Sequence, residues 1–106
     1  MRANRGQAEQ SLPVNPEIQH LVEVIAKSCG EIDEASIERD GSVTFRREIY
    51  YRHPQGTERF RLAVLKTLRA HDVAHTEINC GESWQPFTDA PTLTGRCYWF
   101  IRLRLV

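Results

Sequence analysis

From Arg96 to Leu105 two residue sets alternate without a break: Cys97, Trp99, Ile101, Leu103 and Leu105 against Arg96, Tyr98, Phe100, Arg102 and Arg104. Successive side chains of a strand point to opposite faces, so this period of two predicts a β-strand with one apolar and one polar face. A slip of one residue would bury three arginines and expose a tryptophan, so the register is strongly set. A chain ending this way needs a sheet, and the sheet needs a cover on one side.

The rest of the chain supplies both. Asn15 is a good N-cap, Pro16 suits the first helical position and Glu17 complements the helix dipole. Ile18, Leu21, Val22, Ile25 and Cys29 follow at helical spacing, and Gly30 stands where a helix commonly ends. Asp40-Gly41, a dipeptide favoured in tight primed turns, joins an extended segment at Ala35–Arg39 to a second strand. There Val43, Phe45, Arg47, Ile49 and Tyr51 alternate with Thr44, Arg46, Glu48, Tyr50 and Arg52; Arg47 is the imperfect member of the inward set. His53-Pro54-Gln55-Gly56 reads as a turn. Thr57 is expected to cap a second helix, Glu58 to His71, with Phe60, Val64 and Leu68 on one face, Leu65 nearby and Arg61 at its margin.

Val73–Cys80 reads as a third strand with Ala74, Thr76, Ile78 and Cys80 inward and His75, Glu77 and Asn79 outward. Gly81–Gly95 shows no regular pattern. A loop that long binds something or packs on itself. Residues 1–14 read as a flexible tail and 15–106 as one domain, the size that 106 residues allow. The expected fold class is α+β: an α-β-β-α-β-β two-layer sandwich, with a four-stranded, largely antiparallel sheet and two helices on one face.

Fourteen basic and fourteen acidic residues cancel, which weakens any bulk attraction to nucleic acid or membrane. Twelve of the fourteen basic residues are Arg, a planar fork suited to carboxylates, phosphates and aromatic stacking. Cys29, Cys80 and Cys97 are odd in number and lack C-x-x-C spacing, so no disulfide framework is expected and a reducing cytoplasm fits. The N-terminus has no apolar h-region, and no apolar run has the length of a membrane span.

With the helices on one face, the other sheet face holds the candidate site. It gathers Arg46, Tyr50, Arg52, Arg96, Tyr98, Phe100, Arg102 and Arg104, with Trp84 and Phe87 contributed by the long loop. These residue types suit a non-enzymatic module, an adaptor, inhibitor or assembly subunit, docking on a protein partner whose surface is acidic. Arg and aromatic rings on an open sheet also suit single-stranded nucleic acid, which is the alternative. A second copy of the chain could use the same face, and a plain solvated face with cross-strand pairs would carry the same pattern. The loop is either a binding lip or a flap tucked against the domain.

Signals for catalysis are weak. There is no P-loop, G-x-G-x-x-G, H-E-x-x-H or G-x-S-x-G motif. His71 and His75 with Cys80 or Cys97 would make a zinc set of unfamiliar spacing. Scattered carboxylates (Glu77, Glu82, Asp89) and cysteines on apolar faces read as solvated and packed groups. No catalytic residue, metal or cofactor is expected.

Overall fold

A computed structural model of the protein describes residues 15–50, 53–86 and 95–105. The expected tail at residues 1–14, and the candidate contacts Arg52 and Phe87, lie outside the described residues. The elements are α1 (Pro16–Ser28), β1 (Glu34–Ile37), β2 (Val43–Ile49), α2 (Gly56–Ala70), β3 (His75–Pro86) and β4 (Gly95–Leu105). They form the α+β fold read from the sequence: two helices and a four-stranded antiparallel sheet of order β1-β2-β4-β3. The helix–hairpin order occurs twice, and the two hairpins meet with β2 against β4 at the centre.

The helix α1 starts as its sequence dictates: the Asn15 side chain accepts from Glu17 N at 2.9 Å, with Pro16 in the first turn. Helix α2 does not start at a threonine cap. It begins at Gly56, its N-cap is Gln55 without a side-chain hydrogen bond, and Thr57 is already inside the helix. The reason is tertiary. A Cβ on Gly56 would overlap the six-membered ring of Trp99 at Cζ2 and Cε2, so the backbone of the first turn lies directly on the indole.

Both helices cover one sheet face. Val22 and Ile25 of α1 and Phe60, Val64, Leu65 and Leu68 of α2 share one core with Val43, Phe45, Ile101, Leu103 and Leu105. Arg47 sits on this face, as expected. Its guanidinium reaches the Gly30 carbonyl at 3.4 Å and Glu31 at 3.4 Å.

Three local expectations are corrected. The hairpin at Asp40-Gly41 is not a primed two-residue turn. Gly41 N bonds Glu38 O at 3.0 Å, Glu38 N bonds Ser42 O at 2.7 Å, and among the loop residues only Gly41 has positive φ, at 85°. This is a three-residue loop with glycine in the left-handed position. The segment after Cys80 is not loop: β3 runs to Pro86 and pairs with β4 along its length. The faces of β3 are also reassigned. A register irregularity between Glu77 and Asn79 puts His75, Glu77, Cys80, Glu82 and Trp84 opposite the inward residues of β4. Thr76, Asn79, Gly81, Ser83 and Gln85 fall on the open side, and Ile78 is left exposed. Glu77 is tolerated beneath α2 because Arg61 Nε donates to it at 2.7 Å. That bond, with the Arg61 charge, lowers the Glu77 carboxyl below its ordinary value against the opposing effect of burial.

Candidate functional site: the open face of the sheet

The register settles which side chains share the open face. Thr44, Arg46 and Glu48 of β2 stand opposite Arg102, Phe100 and Tyr98 of β4. On the outer side of β4, Arg104, Arg102, Phe100, Tyr98 and Arg96 meet Thr76, Asn79, Gly81, Ser83 and Gln85 of β3. On the outer side of β2, Glu34 and Ser36 of β1 meet Arg46 and Thr44. Arg46, Arg96, Tyr98, Phe100, Arg102 and Arg104 are thereby brought onto one surface. Tyr50 follows the end of β2 and is 79% exposed. Trp84 departs from expectation: it is a strand residue on the helix-side face, opposite Cys97, and 47% exposed.

Two of the aromatic residues are less available than the alternation implies. Tyr98 is only 4% exposed. Phe100 lies beside Gly81, where an added Cβ would stand 3.5 Å from the ring. An aromatic side chain laid over a cross-strand glycine covers the backbone that glycine leaves bare. Tyr98 and Phe100 therefore build the surface as much as they present it.

The charges also differ from the five arginines and single acid, Glu48, expected from two strands. Arg102 Nη2 donates to Asp40 Oδ2 at 2.6 Å and its Nε to Ser42 Oγ at 2.9 Å. Arg104 Nη1 donates to the Asp40 carbonyl at 2.9 Å. Arg46 Nη1 donates to Ser36 Oγ at 2.9 Å, while its Nη2 lies 3.9 Å from Glu38. Arg96 lies 3.5 Å from Glu48. Tyr98 and then Glu48 hold the Arg96 guanidinium above its ordinary pKa. Among the described open-face residues, Arg46, Arg96, Arg102 and Arg104 are matched by Glu34, Glu38, Asp40 and Glu48, four charges of each sign. The acids of β1 were not legible because the expected two-residue turn would pair Glu38 with the core residue Val43, whereas the three-residue loop pairs Ile37 with Val43 and puts Glu34, Ser36 and Glu38 on the open side.

Asp40 organises the β1–β2 turn. Its Oδ1 accepts from Ser42 N at 3.0 Å and Ser42 Oγ at 2.6 Å. These two bonds, then the Arg102 and Arg104 charges, lower its pKa from 3.8 to about 2. The folded value lies below the unfolded one, so Asp40 contributes stability above pH 3.8 that is lost as pH falls toward 2. Asp40→Asn is expected to lower the urea midpoint at neutral pH, with the gap to wild type closing near pH 2. A gap of constant size throughout would show that the carboxylate is not held this way.

The face is shaped as well as charged. A shallow open concavity of about 330 Å³ centres on Phe100. Glu38, Thr44, Arg46 and Arg102 line it on the β2 side, and Asn79, Ser83 and Gln85 on the β3 side.

The candidate metal and thiol chemistry is not assembled. Among the described residues no group of three His, Cys, Asp or Glu side chains is placed to hold a metal ion. His71 Nδ1 donates to the Thr67 carbonyl at 3.0 Å and its Nε2 lies 3.3 Å from Ser28 Oγ, tying α2 to α1. His75 Nδ1 donates to the Val73 carbonyl at 2.9 Å. All three cysteines are free, and burial pushes the Cys80 thiol up, away from the thiolate a nucleophile requires. Among the described residues no helix is long and apolar enough to cross a membrane. Comparison of the chain with protein-family models, curated proteins and solved structures gave no match.

Proposed function

We propose that this protein is a non-enzymatic interaction module that docks on another protein through the open face of its sheet. The observation that carries this reading is the concavity that includes Phe100, left uncovered by both helices and lined on the β3 side by the uncharged Asn79, Ser83 and Gln85. Pockets that bind small molecules are enclosed and mostly apolar. This one is open and lined by polar groups, which suits a protein surface laid across it. The balance of four cations and four anions on the face weakens the nucleic-acid reading, because a phosphate chain would meet as many carboxylates as guanidinium groups.

Ser83→Tyr tests the proposal, since it fills the concavity from a strand position that favours aromatic residues. A protein retained from native lysate by the wild type should be lost with Ser83→Tyr at an unchanged melting temperature. Retention indifferent to the filled concavity would overturn the proposal. Labelled single-stranded oligonucleotides should show no steeply salt-dependent binding; such binding, abolished by the same variant, would transfer the face to nucleic acid.

A further inference from the structure

We infer that two copies of this chain pair through the β3 edge, strand against antiparallel strand about a two-fold axis at Gly81, to make one eight-stranded sheet. The inference goes beyond the docking reading and is independent of it, because it uses the edge of the sheet and not its open face. The two edges differ in kind. β1 is four residues long and β3 is twelve. An edge strand presents a row of backbone N–H and C=O groups that another strand can pair, and shortness is one way a protein limits this. The long edge also carries apolar side chains in solvent: Ile78 is 43% exposed and Trp84 47%. Leu62 of α2, 48% exposed, adjoins the Arg61 that reaches Glu77 of β3. Three of the four exposed large hydrophobic residues among the described residues are thus gathered on this flank.

The register selects a second copy as the occupant. A two-fold axis through the sheet keeps both helix layers on one side, so residues directly opposite each other belong to the same face. The axis therefore passes through a residue and not between two. Counted back from Asn79, Ile78 falls on the helix side with Cys80, Glu82 and Trp84. With the axis at Gly81, Ile78 of each copy stands opposite Trp84 of the other, Asn79 opposite Ser83, and Glu82 opposite the uncharged Cys80. Every pair occurs twice. The two exposed apolar side chains of the edge cover each other, an aromatic against a β-branched residue, and the amide and hydroxyl can hydrogen-bond on the open side. An axis one residue later sets Glu82 against Glu82, and like charges directly opposite are destabilising. One residue earlier sets Ile78 against Glu82. Fourteen charges of each sign leave no net repulsion between the copies. Both concavities then open on the same side of the double sheet, with Asn79 and Ser83 at the seam.

Sedimentation velocity of the purified chain over a dilution series should show a reversible monomer–dimer equilibrium. Ile78→Lys sets a charge against the indole of the second copy and leaves the open face as it is. It should raise the dimer dissociation constant about a hundredfold, tenfold for each of the two symmetric contacts, at an unchanged melting temperature of the monomer. Gly81→Cys in a Cys80→Ser background reports the position of the axis. Directly opposite Cα atoms lie about 4.5–5.5 Å apart, within disulfide range. A Cβ at residue 81 meets only the Phe100 ring, at the ordinary contact distance of 3.5 Å. Oxidation in air should link the dimer through Gly81→Cys. Asn79→Cys in the same background should not link, because its two copies are offset along the strands. A chain that stays monomeric at every concentration would overturn the inference. So would a dimer indifferent to Ile78→Lys, or one that links no better at Gly81→Cys than at Asn79→Cys.

Discussion

Gly56→Ala is expected to destabilise the protein by about 2–3 kcal/mol, a loss of roughly 10 °C or more in melting temperature for a domain of this size. Alanine is normally the better helix former, by about 1 kcal/mol in a helix interior. Here the sign reverses because the added methyl lands inside the indole of Trp99, and neither side can yield cheaply. The ring belongs to a strand whose neighbours in the same face, Ile101 and Leu103, are fully buried, so moving it disturbs the core. Moving α2 instead lifts Phe60 and Val64 from the sheet, both packed in the same cluster. The Trp99 Nε1 donor is buried without a hydrogen-bond partner among the described residues, so packing rather than polarity holds the ring. A double-mutant cycle makes the claim specific. Trp99→Leu costs stability in the wild type, yet adding it to Gly56→Ala should cost much less, giving a coupling of about 1 kcal/mol or more. Strictly additive losses would mean that the close approach is not what Gly56 supplies.

That contact lies beyond what neighbouring residues in the chain can specify. Local chemistry was legible: the Asn15-Pro16 start of α1, the alternation of β2 and β4, and the apolar stripe of α2 all depend on neighbours a few residues away. The start of α2 was misplaced because Thr57 is a good cap in isolation, while the true boundary answers to a tryptophan 43 positions later in the chain. The faces of β3 were inverted over its first half because a single inserted residue shifts the period, and nothing near Ile78 announces it. Gly81–Pro86 reads as loop because glycine, proline and serine weaken β-propensity, a deficit that pairing with the strongly patterned β4 overcomes.

The candidate face was legible in its residues and not in its electrostatics. Alternation in β2 and β4 placed Arg46, Phe100 and Arg102 together, and the register confirms that placement. What two strands cannot reveal is the register of the strands that flank them. The acids that offset those arginines come from β1 and its turn, while the uncharged floor comes from β3. The face expected from two strands to carry five arginines and one acid is thereby a surface of balanced charge, which weakens the nucleic-acid alternative and leaves the protein partner as the favoured ligand. Burial of Tyr98 is a second tertiary effect, since its place in the alternation matches that of the exposed arginines.

Phe45→Ala should be the most damaging side-chain truncation, costing about 3–5 kcal/mol out of a stability of about 5–15. Phe45 and Ile101 face each other across the central strand pair, and both are fully buried. They join the two helix–hairpin units, so the void left by the ring lies where β2 meets β4 and neither hairpin alone can close it. Ile101→Ala should cost about 2–5 kcal/mol, and the double variant less than the sum, because the second truncation enlarges a cavity already opened. The consequence extends to the other side of the sheet. Arg46 and Phe100, next in sequence to this pair, are themselves opposite one another on the open face, so the same β2–β4 register positions core and concavity together. Phe45→Ala should therefore weaken capture of a protein partner by the open face at temperatures where the protein remains mostly folded, although residue 45 lies in the core on the other side of the sheet. Urea melts and lysate capture on the same samples check both halves. A variant that keeps wild-type stability would show that the central pair is not the hub of the core. One that loses stability but binds normally would show that the concavity is set by its own ion pairs rather than by the register beneath it.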